Sequence, residues 1–167
     1  MRQRQKGQAV VEFALVSTLL LVFILGIIDI SWLLTTRTQS YQAARAGARY
    51  AATHPTAWSN VANPASNTIE GQVRRNLTTV NLPNDDAHIA ISYWVPGAGA
   101  AETRCGRYVA SSNSFVADTG YTQATCLVPG TLIQVTTTYS YGFITPLLKA
   151  TFPGPTVTTS GLVMEEI

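Results

Sequence analysis

Apolar positions run almost without interruption from Val10 to Leu34, as VVEFALVSTLLLVFILGIIDISWLL. An α-helix rises ~1.5 Å per residue, so about 20 residues cross a ~30 Å hydrocarbon core, and this block can span with some tilt. Residues 36–53 hold no Pro and one Gly, and are rich in Ala, Arg, Gln and Tyr. Such residues continue a helix, and Pro55 supplies its stop. The expectation is one helix over residues 8–53, apolar below and stalk-like above. The stalk carries Ala43, Ala44, Gly47, Ala48, Ala51 and Ala52, small residues at three- and four-residue spacing. Such a face lets another backbone approach closely. Ala44, Gly47, Ala48 and Ala51 are therefore expected to pack a helix, either on the chain's own domain or on a neighbouring subunit.

The pattern then changes. Residues 54–66, HPTAWSNVANPAS, read as a linker by composition. Asn67 and Glu70 have capping-box spacing, and a short helix is expected to about Leu77. His88 to Val95 alternates, with Ile89, Ile91, Tyr93 and Val95 on one face, as does Thr131 to Tyr141, with Ile133, Val135, Tyr139 and Tyr141. Both read as strands, and Val157, Gly161 and Val163 suggest a last one. The expected fold is α+β: a long N-terminal transmembrane and stalk helix, then a small extracytoplasmic domain. That domain, residues 54–167, sets one short helix on a mostly antiparallel sheet of three or four strands.

Composition supports this division. Charged residues make up only 12% of the 167 residues, against about 25% in ordinary soluble domains. The net charge of +2 is small, and no basic run alternates with aromatics, which sets nucleic-acid binding aside. Arg2, Arg4 and Lys6 precede the apolar block with no acidic residue among them. They hold the N-terminus in the cytoplasm and send the C-terminal domain outward. A cleaved secretory signal would have a shorter apolar core and a small-residue cleavage site; here the block runs on into Thr35-Thr36-Arg37-Thr38-Gln39.

Two carboxylates stand in the apolar block. Glu12 either reaches the cytoplasmic headgroup region or has a cationic partner supplied by another chain, since an ionised carboxylate at membrane depth costs a few kcal/mol. Asp29, near the far end, is expected at the outer interface. The N-terminal run Lys6-Gly7-Gln8-Ala9-Val10-Val11-Glu12-Phe13 joins a basic leader ending in Gly to a Glu five residues on and then an aromatic. This resembles the processing site of type IV pilins and their relatives. With the Gly26-Ile27-Ile28-Asp29 exit and the stalk Ala43-Ala44-Arg45-Ala46-Gly47-Ala48-Arg49-Tyr50-Ala51-Ala52, it resembles the TadE-like family over roughly the first third of the chain.

That resemblance implies a type IV pilin-like fold and a minor pilin, or pseudopilin, of a Tad (Flp) tight-adherence pilus. It implies a leader of residues 1–7, cut by a prepilin peptidase between Gly7 and Gln8. It implies pairing of Glu12 with the new α-ammonium of a neighbouring subunit, beside Phe13, where many relatives carry Tyr. The implied partners are the bacterial inner membrane, other pilins and the Tad assembly platform. The run 132–139, Pro146-Leu147-Leu148, Thr158-Thr159-Ser160 and the terminal Met164-Glu165-Glu166 follow the family's usual ending more loosely.

Cys105 and Cys126, the only cysteines, bracket a Ser-, Gly- and Asn-rich stretch on which the resemblance is silent. Outside the cytoplasm such a pair forms a disulfide, worth roughly 3 kcal/mol for a loop of about 20 residues. Neither His54 nor His88 is near them in sequence, so no metal site is expected, nor any cofactor. No catalytic constellation emerges, and Asp85-Asp86 reads as a turn. An unprocessed, membrane-tethered binding or sensing module remains the alternative, with a tethered enzyme behind it.

Overall fold

The computed structural model describes residues 2–96, 102–151 and 153–164. Met1 of the leader and the terminal Glu165 and Glu166 lie outside the described residues. The chain forms two compact units, Met1–Thr35 with Tyr141–Pro155, and Thr36–Ser140 with Thr156–Ile167. One helix, α1 (Arg2–Thr53), contributes to both and takes in the leader, where a start near Gln8 was expected.

The second unit is an antiparallel sheet carrying the stalk half of α1. Its strands are β1 (Ile89–Pro96), β2 (Glu102–Val109), β3 (Ser114–Ala117), β4 (Leu132–Ser140) and β5 (Thr156–Met164), in the order β3-β2-β1-β4-β5. The alternation seen in the sequence holds: Ile89, Ile91, Tyr93, Ile133, Val135 and Val157 are buried. The other face shows Ser92, Gln134, Thr136 and Ser160, as expected where one side of an antiparallel sheet meets water.

Five strands replace the expected three or four, because the cysteine segment is a hairpin. Its alternation is hidden by a bulge. Tyr93 pairs with Gly106 and Trp94 with Arg104, so Cys105 is the extra residue, and both Cys105 and Gly106 are buried. The hairpin turns at Asn113, which adopts φ 47°, and Tyr108 Oη donates to its side chain. A short helix, α3 (Gln123–Cys126), follows, capped reciprocally by Thr122 and Thr125. A disulfide joins Cys126 to Cys105 with Cα atoms 5.6 Å apart, and both residues are fully buried.

Residues 54–66 are not a linker. Trp58 stacks on Tyr108 and Phe115 at 5.2 and 6.2 Å, and its Nε1 donates to Tyr93 Oη, which donates to Pro55 O. Aromatic burial of this kind outweighs the turn-forming composition that suggested a linker. Asn84 Nδ2 donates to the carbonyls of Ser59 and Val61, fixing the strap further.

The short helix α2 (Ile69–Asn76) starts one residue later than its capping pattern suggests. Thr68, not Asn67, is the N-cap, accepting from Gly71 N at 3.1 Å. Burial sets this phase: Ile69 and Val73 must face the sheet, and both are fully buried. Glu70 is turned inward with them. It is 1% exposed, and no well-formed hydrogen bond reaches its carboxylate among the described residues.

Burial pushes the Glu70 carboxyl up to about 7, with the backbone N–H groups of Glu70 and Ser59 pulling the other way. A raised folded-state pKa destabilises the fold as pH rises. The contribution is intact below the unfolded value of 4.5 and is lost as pH climbs through about 7. Glu70→Gln is therefore expected to leave stability nearly unchanged at pH 4 and to raise it by up to about 3 kcal/mol at pH 8. Urea unfolding of the detergent-solubilised chain at the two pH values measures this.

Candidate functional site

The lower part of α1 presents apolar side chains on every side, among them Val10, Phe13, Leu19, Phe23, Ile27 and Ile30, all exposed. A helix that is apolar all round is stable in a protein core or in lipid, and this one is not covered by protein. From Gly7 to Thr53 it is long and apolar enough to cross a membrane. Its hydroxyls suit that setting. Thr18, Ser31 and Thr35 donate to the carbonyl four residues earlier, at 2.8–2.9 Å, so none carries an unmet donor into lipid.

At the N-terminal end, Gly7, Gln8, Glu12 and Phe13 lie on one continuous helix. Beyond the helix's own backbone, no described atom stands within 4 Å of where a Gly7 side chain would begin. Gln8 Nε2 donates to Glu12 Oε1 at 3.0 Å, a contact of neighbouring turns. The donor is a neutral amide, not a cation. Phe13 is 73% exposed beside it. The pairing expected for Glu12 requires a cation from outside the chain, and the helix leaves this end accessible to one.

At the far end, Asp29 is fully buried although it sits in the apolar block. Ile144 N donates to Oδ1 at 2.9 Å and Thr145 N to Oδ2 at 3.3 Å, and Thr145 Oγ1 also donates to Oδ2. Tyr141 Oη donates to the Asp29 backbone carbonyl at 3.2 Å. The segment that brings these donors carries a short helix, α4 (Pro146–Thr151), whose first turn closes with Lys149 N donating to Thr145 O. The sequence located Asp29 but not its partners. The signal was available: a carboxylate in an apolar run needs donors, and Tyr141 and Thr145 flank a turn before Pro146.

The small stalk residues are taken by the chain's own domain. Ala43, Ala44, Ala48 and Ala51 are fully buried, and Gly47 faces Val73, Val135 and Ile69. Arg37, Tyr41, Arg45 and Arg49 occupy the exposed side at four-residue spacing, with the Arg45 guanidinium 5.6 Å from the Tyr41 ring centroid.

The cleft beside β1 and β2 is lined by Asp86, Ser92, Arg104, Arg107 and Tyr108. Two of its charged groups are engaged structurally: Arg104 pairs with Asp118 at 2.7 Å, and Asp86 accepts from Ala110 N. Asp85 accepts from the N–H groups of Ala87 and His88, which makes the Asp85-Asp86 pair the turn it was expected to be. His54 stacks on Tyr50 at the end of α1. Among the described residues, no three of His, Cys, Asp and Glu gather as metal ligands would.

No curated protein and no solved structure matches the chain. A protein family does, over residues 7–49, starting at the glycine that ends the basic leader and stopping three residues short of the expected Ala52. The looser C-terminal likeness falls outside that match. The family is not one of enzymes, and its description, TadE-like protein, is that expected from the leader, the Glu12 spacing and the stalk: over residues 7–49 the N-terminal helix is similar to that family.

Proposed function

We propose that this protein is a minor pilin, or pseudopilin, of a Tad (Flp) pilus, needed for pilus assembly and surface adherence. It is anchored in the bacterial inner membrane by the lower part of α1, with Arg2, Arg4 and Lys6 cytoplasmic and the disulfide-bonded domain outside. A prepilin peptidase cuts between Gly7 and Gln8. The released Gln8 carries an α-ammonium at the membrane boundary. Glu12 of one subunit then pairs with that ammonium on another, and neither charge stays alone in lipid. Other pilins and the assembly platform are the partners. The observation that carries this reading is the start of the TadE-like match at Gly7, five residues before Glu12. Since the small stalk face is covered, subunit contacts above the membrane fall to Arg37, Tyr41, Arg45 and Arg49.

Mass spectrometry of the native protein's N-terminus tests the proposal. Gln8 is the expected first residue in cells with an active prepilin peptidase, and Gly7→Phe is expected to block the cut without affecting insertion. An intact Met1 or Arg2 terminus in those cells would instead describe an unprocessed tether.

A further inference from the structure

The excursion between β4 and β5 leaves the sheet and returns to the same point. Tyr141 N donates to Pro155 O at 2.9 Å, and Gly154 lies so close to Tyr141 O that no side chain fits there. The segment GFITPLLKATFPG, with Lys149 its one charge, is thus closed at its ends, as described for residues 142–151 and 153–154. Within the loop, Ile144 is 57% exposed, Pro146, Ala150 and Pro153 are exposed too, and Phe143 and Leu148 are half-buried. Such a run of apolar groups is unfavourable in water and favourable at a bilayer interface.

Hydrogen bonds at Asp29 tie the loop to the apolar helix. At ~1.5 Å per residue, Asp29 stands ~28 Å along α1 from Val10, the outer edge of a ~30 Å hydrocarbon core. Trp32, nearly a full turn beyond, is an exposed indole of the type enriched at membrane–water interfaces. Backbone can approach lipid only if its polar groups are satisfied. Here the N–H groups of Ile144 and Thr145 are taken by the Asp29 carboxylate, and Lys149 N by Thr145 O.

We propose that residues 142–151 form an interfacial foot, seated in the outer-leaflet headgroup layer of the membrane that α1 crosses, with Asp29 as the latch that fixes its depth. The occupant of its apolar face is the lipid surface, because the loop is bonded to the membrane helix itself at the level where that helix leaves the hydrocarbon. Lys149 extends its stem along the apolar layer and its ammonium toward lipid phosphate. Asp29 is a positioning residue: it acts on lipid only through the loop. The inference rests on the reading of α1 as a membrane span.

The test uses the full chain in vesicles of phosphatidylethanolamine and phosphatidylglycerol. Ile144→Cys carries a polarity-sensitive thiol-reactive fluorophore; Cys105 and Cys126 remain in their buried disulfide. Val116→Cys, exposed on β3, is the comparison site. The probe at 144 is expected to emit to the blue, to be quenched by lipid spin-labelled near the headgroup, and to be several-fold less accessible to aqueous iodide than the probe at 116. Asp29→Leu is expected to bring iodide access at 144 up to the level at 116, with far-UV circular dichroism unchanged.

Chain that does not float with the vesicles overturns the membrane span and the foot together. Chain that floats, with both probes equally open to iodide, overturns the foot alone. A probe at 144 shielded from iodide and from lipid quencher alike, increasingly so at higher protein density, would mean that a second copy covers the loop, and overturns lipid as the occupant. Unchanged shielding in Asp29→Leu overturns the latch.

Discussion

Glu12→Ala chain is expected to reach the membrane at normal levels, to be processed normally, and to be missing from sheared pili. Insertion is driven by some twenty apolar residues. A charge near the helix end costs less than the ~3 kcal/mol of one at the centre, so removing it eases insertion slightly if at all. Assembly is different. Among the described residues, the hydrogen bond to the Glu12 carboxylate comes from the neutral amide of Gln8, at 3.0 Å. The proposed subunit contact replaces that amide with a neighbour's α-ammonium. Deleting one partner of a desolvated ion pair leaves the other charge stranded, at a cost of about 3–5 kcal/mol. At ~1.4 kcal/mol per factor of ten, incorporation falls by about 100-fold or more. Glu12→Gln keeps the side-chain shape and loses the charge, so it is expected to fail equally. Cell fractionation and pilus shearing on the same strains read the result. Wild-type incorporation of either variant would remove the pairing role and leave α1 as a simple anchor.

Gly161→Ala is expected to destabilise the sheet unit strongly, by prising its helix off the sheet. A Cβ at Gly161 would lie 2.5 Å from the carbonyl carbon of Ala44 and 2.6 Å from Ala44 O and Arg45 N. These are backbone atoms of a regular helix, and none can rotate aside. The stalk must lift from β5, loosening Ala43, Ala44 and Ala48, which are fully buried beneath it. Overpacking of this kind costs about 3 kcal/mol, a large share of a small domain's stability. The melting temperature should drop by about 10 °C or more. Gly142→Ala is the control, since nothing stands within 4 Å of its missing side chain. Thermal circular dichroism of the solubilised proteins compares them; equal melting temperatures would contradict the close approach of α1 to β5.

The parts legible in the sequence were those written in a regular period or in bulk hydrophobicity. The apolar block gave the membrane-length helix, and alternation gave β1, β4 and β5. What the sequence hid has identifiable causes. The bulge at Cys105 buries two consecutive residues and destroys the period of β2. Four residues are too few for β3 to declare itself. Trp58 sat in turn-rich surroundings, and only the aromatic wall of Tyr93, Tyr108 and Phe115 makes it a core residue. Asp29 was visible as an anomaly, but its donors stand 112 to 116 residues downstream, beyond any local pattern. Gly7 and Glu12 stood out by spacing alone, since under the proposed function that end of α1 works through residues of other chains.

The seating of Ala44 on Gly161, and the hydrogen bond from Thr137 to Ser40 across 97 residues, tie the last strands of the sheet unit to its first helix. Contacts of such separation form late, because the intervening chain must be ordered first. Under the proposed orientation the stalk crosses the membrane well before β5 is synthesised. Throughout that interval its small-residue face has no sheet to rest on, and closure of the domain waits for the C-terminal strand to clear the translocation pore. The order of export thus becomes part of the folding instruction: the element made first is the one that waits longest for its partner.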